Sequence, residues 1–182
     1  MIRCHPTALP GVVVVEASVH RDDRGFFLEL FHAEKFAEAG LPSTFAQSNH
    51  SRSIRGTLRG LHYQLEQPQG KLVRPLSGCI FDVVVDVRRS SPHFGQWVGV
   101  TLDAGDGRAL YVPPGFAHGF LVQSDFADLW YQCTTTYHHA SDRALVWNDP
   151  DIAIAWPLHG RVPLLSAKDA AAPTIRTATV YP

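Results

Sequence analysis

Apolar and polar side chains alternate with a period of two residues along most of the chain, as they do in a β-strand with one buried face. The run VVVVEASV at 12–19 is rich in β-branched residues and predicts a strand. Residues 26–32 are predicted to form its hairpin partner, across a polar connection at 20–25 that ends in glycine. Further strands are predicted at 57–64, 71–76, 79–88, 96–102, 108–112, 118–123 and 129–135.

Helical signals are confined to one short segment. AEKFAEA at 33–39 is rich in helix formers, and the following Gly-Leu-Pro ends it. Beyond residue 140 the chain is irregular and rich in proline and alanine, and we expect this tail to pack over the strands. Many short strands with one minor helix favour a single all-β domain over 1–182, an antiparallel sandwich or jelly roll.

Composition narrows the possible function classes. The 182 residues include 16 basic and 17 acidic side chains, and this balance argues against binding of nucleic acid through overall charge. The three cysteines form no CxxC pair, so a disulfide framework or a zinc knuckle is not expected. The sequence has neither an apolar leader nor a stretch long enough to cross a membrane. These features predict a soluble, cytoplasmic protein.

One motif carries chemical information. Residues 107–118 read glycine, five residues, Pro-x-Gly, two residues and His118, which is the spacing of the second cupin motif. The first cupin motif should supply a His-x-His pair and a glutamate as metal ligands, because a metal needs several converging ligands. Here the matching segment keeps His62 but has Gln64 in the place of the second histidine. The sequence therefore predicts a barrel without a metal, whose interior uses organic acid and base groups.

A series of blocks resembles one known family, the dTDP-4-dehydrorhamnose 3,5-epimerases. The blocks occur in the same order from about residue 10 to 173: RGFF at 24–27, QSNHS at 47–51, LRGLH at 58–62, QGKLV at 69–73, FDV at 81–83, FGQW at 94–97, PGFAHGF at 114–120, WND at 147–149 and LSAKDAAAP at 165–173. The resemblance implies a cupin-type double-stranded β-helix, or jelly roll, with a few short helices. It also implies a homodimer whose N-terminal strands complete the partner's site.

The resemblance also implies an activity and its catalytic residues. Such enzymes convert dTDP-4-dehydro-6-deoxy-α-D-glucose to dTDP-4-dehydro-β-L-rhamnose in dTDP-L-rhamnose biosynthesis, without a cofactor. The ketone acidifies the hydrogens on C3 and C5, so a base, an acid and a group that stabilises the enolate suffice. By resemblance, His62 is the base with Asp169 as its partner, Tyr131 is the acid, and Lys71 stabilises the enolate.

Substrate-binding positions also follow from the resemblance. Arg59, and Arg24 from the neighbouring chain, match positions that bind the diphosphate. Two residues depart from the family pattern: Asp142 stands in place of a glutamate and Ser48 in place of an aspartate. Tyr137 is expected from its residue type instead, as a ring that stacks on the pyrimidine. The remaining expected substrate contacts are Phe27, Glu29, Gln47, Asn49, Lys71, His118 and Lys168.

Three other functions stay open at this point. A relative that epimerises only C3 or C5 of another dTDP-4-keto-deoxy sugar would carry the same acid and base residues. A metal-dependent cupin oxygenase or isomerase is disfavoured by the missing ligands. A sugar-nucleotide-binding cupin without activity is disfavoured because every acid and base position is filled.

Overall fold

The computed structural model describes residues 2–182, which form two antiparallel β-sheets that face each other. The strands are β1 (Ile2–Pro6), β2 (Val13–Ala17), β3 (Val19–Asp22), β4 (Gly25–Leu28), β5 (Gln47–Ile54), β6 (Leu58–Gln64), β7 (Lys71–Ser77), β8 (Cys79–Asp86), β9 (Trp97–Asp103), β10 (Arg108–Val112), β11 (Phe116–Val122), β12 (Phe126–Cys133) and β13 (Asp142–Ala144). The short α-helices are α1 (Ala33–Glu38) and α2 (Ala167–Ala170), and one-turn 3₁₀ helices lie at Ala104–Asp106 and His139–Ser141.

The strand order is that of a jelly roll. One sheet has six strands in the order β1-β2-β10-β7-β12-β5, and the other has five in the order β13-β6-β11-β8-β9. Strands β3 and β4 pair only with each other and form a separate hairpin. The predicted all-β, cupin-type jelly roll with a few short helices is confirmed.

The apolar core has three parts: one cluster lies between the sheets, and one lies on the outer face of each sheet. Val84, Leu110 and Leu129 belong to the cluster between the sheets. On the outer face of the five-stranded sheet, Trp156 and Ile175 of the C-terminal segment join a cluster with buried side chains of β6, β8 and β11. On the outer face of the six-stranded sheet, Phe36 of α1 joins a cluster with Leu72 and Tyr111. Burial of these apolar side chains is the main force that holds the layers together.

Several predicted boundaries are wrong at the N-terminal end. The strand predicted at 12–19 ends at Ala17, and the strand predicted at 26–32 ends at Leu28. The hairpin is instead β3–β4, with only Asp23 and Arg24 between its strands. Strands β1, β5 and β13 were not predicted, because their sequences, such as QSNHSRSI in β5, lack alternating apolar residues.

A shift in register between β6 and β11 determines which way the side chains of β6 point. His118 lies opposite His62, but Phe120 lies opposite Arg59, so β6 contains one extra residue relative to a regular ladder. Gly60 lies at the shift with φ of +117°, and a Cβ atom there would lie 2.6 Å from the Cα of Gly119. The shift changes which face each side chain points to, so Arg59 and His62 line the same cavity although they are three residues apart.

Candidate active site

A cavity of about 380 Å³ lies between the two sheets. The six-stranded sheet contributes β5, β7 and β12, and the five-stranded sheet contributes β6, β11 and β13. Ten of the residues predicted for the site line this cavity: Gln47, Asn49, Arg59, His62, Lys71, His118, Tyr131, Tyr137, Asp142 and Lys168.

His62 and Asp169 are 107 residues apart in sequence, yet they form a hydrogen bond of 2.5 Å between Nε2 and Oδ1. Asp169 lies on α2, where the Ser166 side chain caps the helix by accepting from the Asp169 amide at 3.1 Å. Burial raises the pKa of Asp169, but hydrogen bonding, chiefly with His62, outweighs this effect, and the pKa lies below the ordinary value. An ionised carboxylate only accepts hydrogen bonds, so Nε2 of His62 carries the proton and Nδ1 of the neutral ring is free to act as a base.

Lys71 and Tyr131 come from the sheet opposite His62. Strands β7 and β12 pair so that Lys71 lies beside Cys133, and Tyr131 lies beside Val73. Burial lowers the pKa of the Lys71 ammonium, since desolvation disfavours its charge. Burial and Cys133 raise the pKa of Tyr131, so this phenol stays protonated at neutral pH and can serve as a proton donor.

A second histidine–aspartate pair lies next to the first. His118, the cross-strand neighbour of His62, forms a 2.5 Å hydrogen bond from Nε2 to Oδ1 of Asp82. Asp82 is fully buried, and its other oxygen has no hydrogen-bond partner among residues 2–182. Asp82 was not predicted as a site residue; the usable signal was an aspartate with apolar neighbours on both sides in CIFDVVVD of β8.

Polar side chains of β5 extend the cavity wall. Gln47 donates from Nε2 to Oδ1 of Asn49 at 2.8 Å and accepts from the backbone amide of Tyr137 at 2.7 Å. Ser48 lies between two residues that line the cavity, so strand alternation directs its side chain to the opposite face. The structure therefore does not bring the Ser48 side chain into the cavity.

Three other predicted residues lie outside the cavity of their own chain. Arg24 and Phe27 are on the β3–β4 hairpin, where Arg24 pairs with Asp22 and Phe27 is 69% exposed. Glu29 follows the hairpin and forms an ion pair of 2.7 Å with Lys35. The structure therefore does not bring these three side chains into the cavity.

The cavity also contains residues that sequence reasoning missed. Ser51 could have been found, because it continues the period-two series of Gln47 and Asn49 along β5. The same period of two extends from predicted site residues on other strands to Gln64, Val73, Phe120, Leu129 and Cys133. Tyr63 and Gln69 carry no such signal. Gln64, which stands at a ligand position of the cupin motif, uses its amide nitrogen to donate to the Gln67 carbonyl at 2.8 Å.

Two features are absent from residues 2–182. No cluster of three or more histidine, cysteine, aspartate or glutamate side chains there has the arrangement that would hold a metal ion. No helix in the same residues is sufficiently long and apolar to cross a membrane.

Comparison with known proteins identifies the family. A family model described as dTDP-4-dehydrorhamnose 3,5-epimerase matches residues 6–177. The chain belongs to this epimerase family. A dTDP-4-dehydrorhamnose 3,5-epimerase of Pseudomonas aeruginosa is 51% identical over 176 residues, which are 96% of this chain and 97% of that protein. The family resemblance and the isomerase class predicted from the sequence are confirmed.

Two solved structures of epimerases are close in fold. A dTDP-6-deoxy-D-glucose-3,5-epimerase of Legionella pneumophila, in complex with dTDP-4-keto-L-rhamnose, has a TM-score of 0.94 and 47% identity, covering 97% of this chain and 94% of that one. A 3′-monoepimerase of Streptomyces bikiniensis, in complex with dTDP-quinovose, has a TM-score of 0.90 and 40% identity, covering 95% of this chain and 88% of that one. The epimerase fold thus accommodates both double and single epimerisation.

Proposed function

We propose that this epimerase converts dTDP-4-dehydro-6-deoxy-α-D-glucose to dTDP-4-dehydro-β-L-rhamnose by inverting C3 and C5, as a step of dTDP-L-rhamnose biosynthesis. One observation carries the proposal: His62 and Tyr131 lie on opposite sheets and line one cavity, together with Lys71. Inversion of a carbon next to a ketone requires a base on one face and an acid on the other.

In the first step, Nδ1 of His62 removes the hydrogen from the carbon next to the ketone. The C–H electron pair forms a double bond to the carbonyl carbon, and the carbonyl π pair moves to oxygen, which gives an enolate. Asp169 stabilises the imidazolium that forms, because its carboxylate is hydrogen-bonded to Nε2. The Lys71 ammonium, which lines the same cavity, stabilises the negative oxygen.

In the second step, the Tyr131 hydroxyl donates its proton to the opposite face of the same carbon, and the carbonyl re-forms. The imidazolium and the tyrosinate return to their starting states by exchanging protons with water. Each inverted carbon therefore carries a hydrogen from the solvent. The same groups serve the second carbon, because C3 and C5 flank one ketone.

The test follows both carbons by NMR while the enzyme turns over the keto sugar nucleotide in D₂O. We expect deuterium at C3 and at C5 of the product. Exchange at one position only would assign the chain to the single-position epimerases, an alternative favoured by its similarity to the 3′-monoepimerase. Binding of dTDP without any exchange would indicate a non-catalytic binding protein.

A His62→Ala variant provides the control for this assay. It should lose exchange at both carbons and keep the dTDP affinity of the wild type, because His62 is assigned to the sugar and not to the nucleotide. Retained turnover would remove His62 from the role of base.

We also propose that the enzyme is a homodimer in which the β3–β4 hairpin reaches the partner's cavity. Support comes from the hairpin itself, which pairs with neither sheet and exposes Phe26 and Phe27 at 57% and 69%. Arg24 and Glu29 would then act at the partner's site. Because a mixed dimer of Arg24→Ala and His62→Ala chains has one intact site, co-expressing the two should restore roughly a quarter of wild-type activity by random pairing. No restoration would place Arg24 outside the partner's site.

A cytoplasmic location is part of the proposal. Cys4, Cys79 and Cys133 are all free thiols, which a reducing compartment preserves. Cell fractionation with antibody detection tests it, and recovery of the protein outside the cytoplasmic fraction would contradict it.

A further inference from the structure

We propose that Asp142 is a positioning residue that holds α2, and with it Asp169, against His62. The structure connects Asp142 to Lys168, and Lys168 is the sequence neighbour of Asp169 on α2. The kinetic consequence rests on the proposed function, whereas the structural consequence is independent of it.

Helix α2 cannot hold its own position. It has four residues, Ala167–Ala170, and a helix this short gains too few hydrogen bonds to be stable alone. Backbone pairing fixes the segment before it, where the amide of Leu58 donates to the Leu164 carbonyl at 2.9 Å. Backbone pairing also fixes the segment after the helix, where the amide of Val146 donates to the Pro173 carbonyl at 2.9 Å. Between these two anchors, contacts of the side chains orient the helix.

Asp142 is well placed to orient this segment, because it is part of the sheet that carries His62. In β13, Asp142 lies opposite Gln64, and Ala144 lies opposite His62. The carboxylate of Asp142 is only 14% exposed. Strand pairing therefore fixes Asp142 relative to the base.

One carboxylate oxygen of Asp142 joins two neighbours. Oδ2 accepts from the Tyr137 hydroxyl at 2.9 Å and from the Lys168 ammonium. Burial raises the pKa of Asp142, but the hydrogen bonds from Lys168 and Tyr137 outweigh it, so the pKa is low and the carboxylate is charged at neutral pH. Since Lys168 and Asp169 are adjacent, the Asp142–Lys168 ion pair and the Asp169–His62 hydrogen bond attach α2 to the same sheet at neighbouring points.

The structural test reads the state of the two histidine rings in the resting enzyme. Two-bond ¹H–¹⁵N spectra of protein labelled with ¹⁵N-histidine distinguish which ring nitrogen carries the proton. In the wild type, Nε2 of both His62 and His118 is hydrogen-bonded to an aspartate oxygen, so we expect the proton of each ring on Nε2. His118 with Asp82 is the internal control, because β8 and β11 supply both members of this pair and α2 supplies neither. His62→Gln and His118→Gln variants assign the signals.

The expected results separate the two pairs. Asp142→Ala and Lys168→Met should each convert His62 from a single tautomer, with the proton on Nε2, to a mixture of the two tautomers. Both should leave His118 unchanged. Asp142→Glu keeps the charge and should keep the wild-type His62 spectrum. An unchanged His62 spectrum in both Asp142→Ala and Lys168→Met would overturn the inference.

The kinetic test asks whether the two residues act through one ion pair. We expect Asp142→Ala to lower kcat about 10- to 100-fold, because small misplacements of a catalytic group have effects of this size. KM should change less than kcat, and the Asp142→Ala/Lys168→Met double variant should lose no more kcat than the worse single variant. A change in KM alone, or additive losses in the double variant, would show that Asp142 only contacts substrate. If the enzyme does not turn over the proposed substrate, the kinetic test has no signal, but the ring spectra still decide.

Discussion

Replacing Asp169 by asparagine tests the central pair of the mechanism with a minimal change in shape. Asparagine has nearly the same size and keeps one oxygen, but it removes the negative charge 2.5 Å from Nε2 of His62. Its amide nitrogen is a donor, so it can also favour the ring tautomer in which Nδ1 carries the proton. Asp169→Asn therefore weakens the base in two ways.

The size of the effect follows from the geometry. Asp169 is 2% exposed, so water screens its charge weakly when His62 becomes an imidazolium. Centres of opposite charge about 4 Å apart attract by about 4 kcal/mol at an effective dielectric constant of about 20. If the transition state gains most of this energy, its loss slows proton removal about 10³-fold.

The assay is the initial rate of deuterium incorporation at C3 and C5 in D₂O with saturating substrate. Dissociation constants for dTDP and melting temperatures of wild type and Asp169→Asn serve as controls, and we expect both to stay near wild type. Asp151→Asn is the matched variant, because Asp151 lies in the same C-terminal segment and pairs with the exposed Arg176. It should exchange deuterium at the wild-type rate.

A loss smaller than about tenfold in Asp169→Asn would refute this reasoning, because a charge at hydrogen-bond distance from the base has to matter more than that. An equal loss in Asp151→Asn would also refute it, since the effect would then come from the folding of the segment and not from the pair.

Three further predictions concern the fold and the acid. Gly60→Ala should lower the free energy of unfolding by about 2–5 kcal/mol in urea titrations, since it combines a positive φ with a backbone clash. At Gly40, φ is +73° but the space around it is open, so Gly40→Ala should lower the free energy of unfolding by only about 1–2 kcal/mol. Equal losses in the two variants would exclude the backbone clash as a cause of the Gly60→Ala loss. Hydrogen bonds, chiefly from Arg52, hold the pKa of Asp128 below its usual 3.8, so this stabilisation is present above that pH and is lost as the pH falls through the lowered value. The stability difference between wild type and Asp128→Asn should therefore shrink below pH 3.8, and a constant difference would contradict it. Tyr131→Phe should exchange substrate hydrogens in D₂O without forming product, because the base can return deuterium only to its own face; normal product formation would remove Tyr131 as the acid.

The parts of the fold that the sequence predicts well are those where one face of a strand is apolar. Strand β10 was predicted with its observed bounds, Arg108–Val112, and the Pro-Gly turn that follows correctly placed the return strand carrying His118. Strand β5 was missed because its inward side chains, Gln47, Asn49 and Ser51, line a polar cavity. A strand that faces a binding site therefore lacks the hydrophobic pattern by which strands are recognised.

The candidate site shows the same division. Motif resemblance selected His62, Lys71 and Tyr131, and these residues line one cavity. Contacts between distant segments, such as the buried pair of His118 and Asp82, depend on tertiary packing, which no local pattern encodes. Resemblance alone paired His62 with Asp169, because spacing gives no reason for residues so far apart to meet.

The register shift at Gly60 has a consequence for how this site could change over time. Because the strand reverses its facing at a single glycine, loss or gain of one residue there would turn either Arg59 or His62 towards the opposite side of the sheet while leaving the other in place. One indel could thus separate recognition of an anionic group from proton abstraction in a single event. Insertion or deletion of one codon at this position would therefore be enough to turn an enzyme with this fold into a ligand-binding protein without catalytic activity.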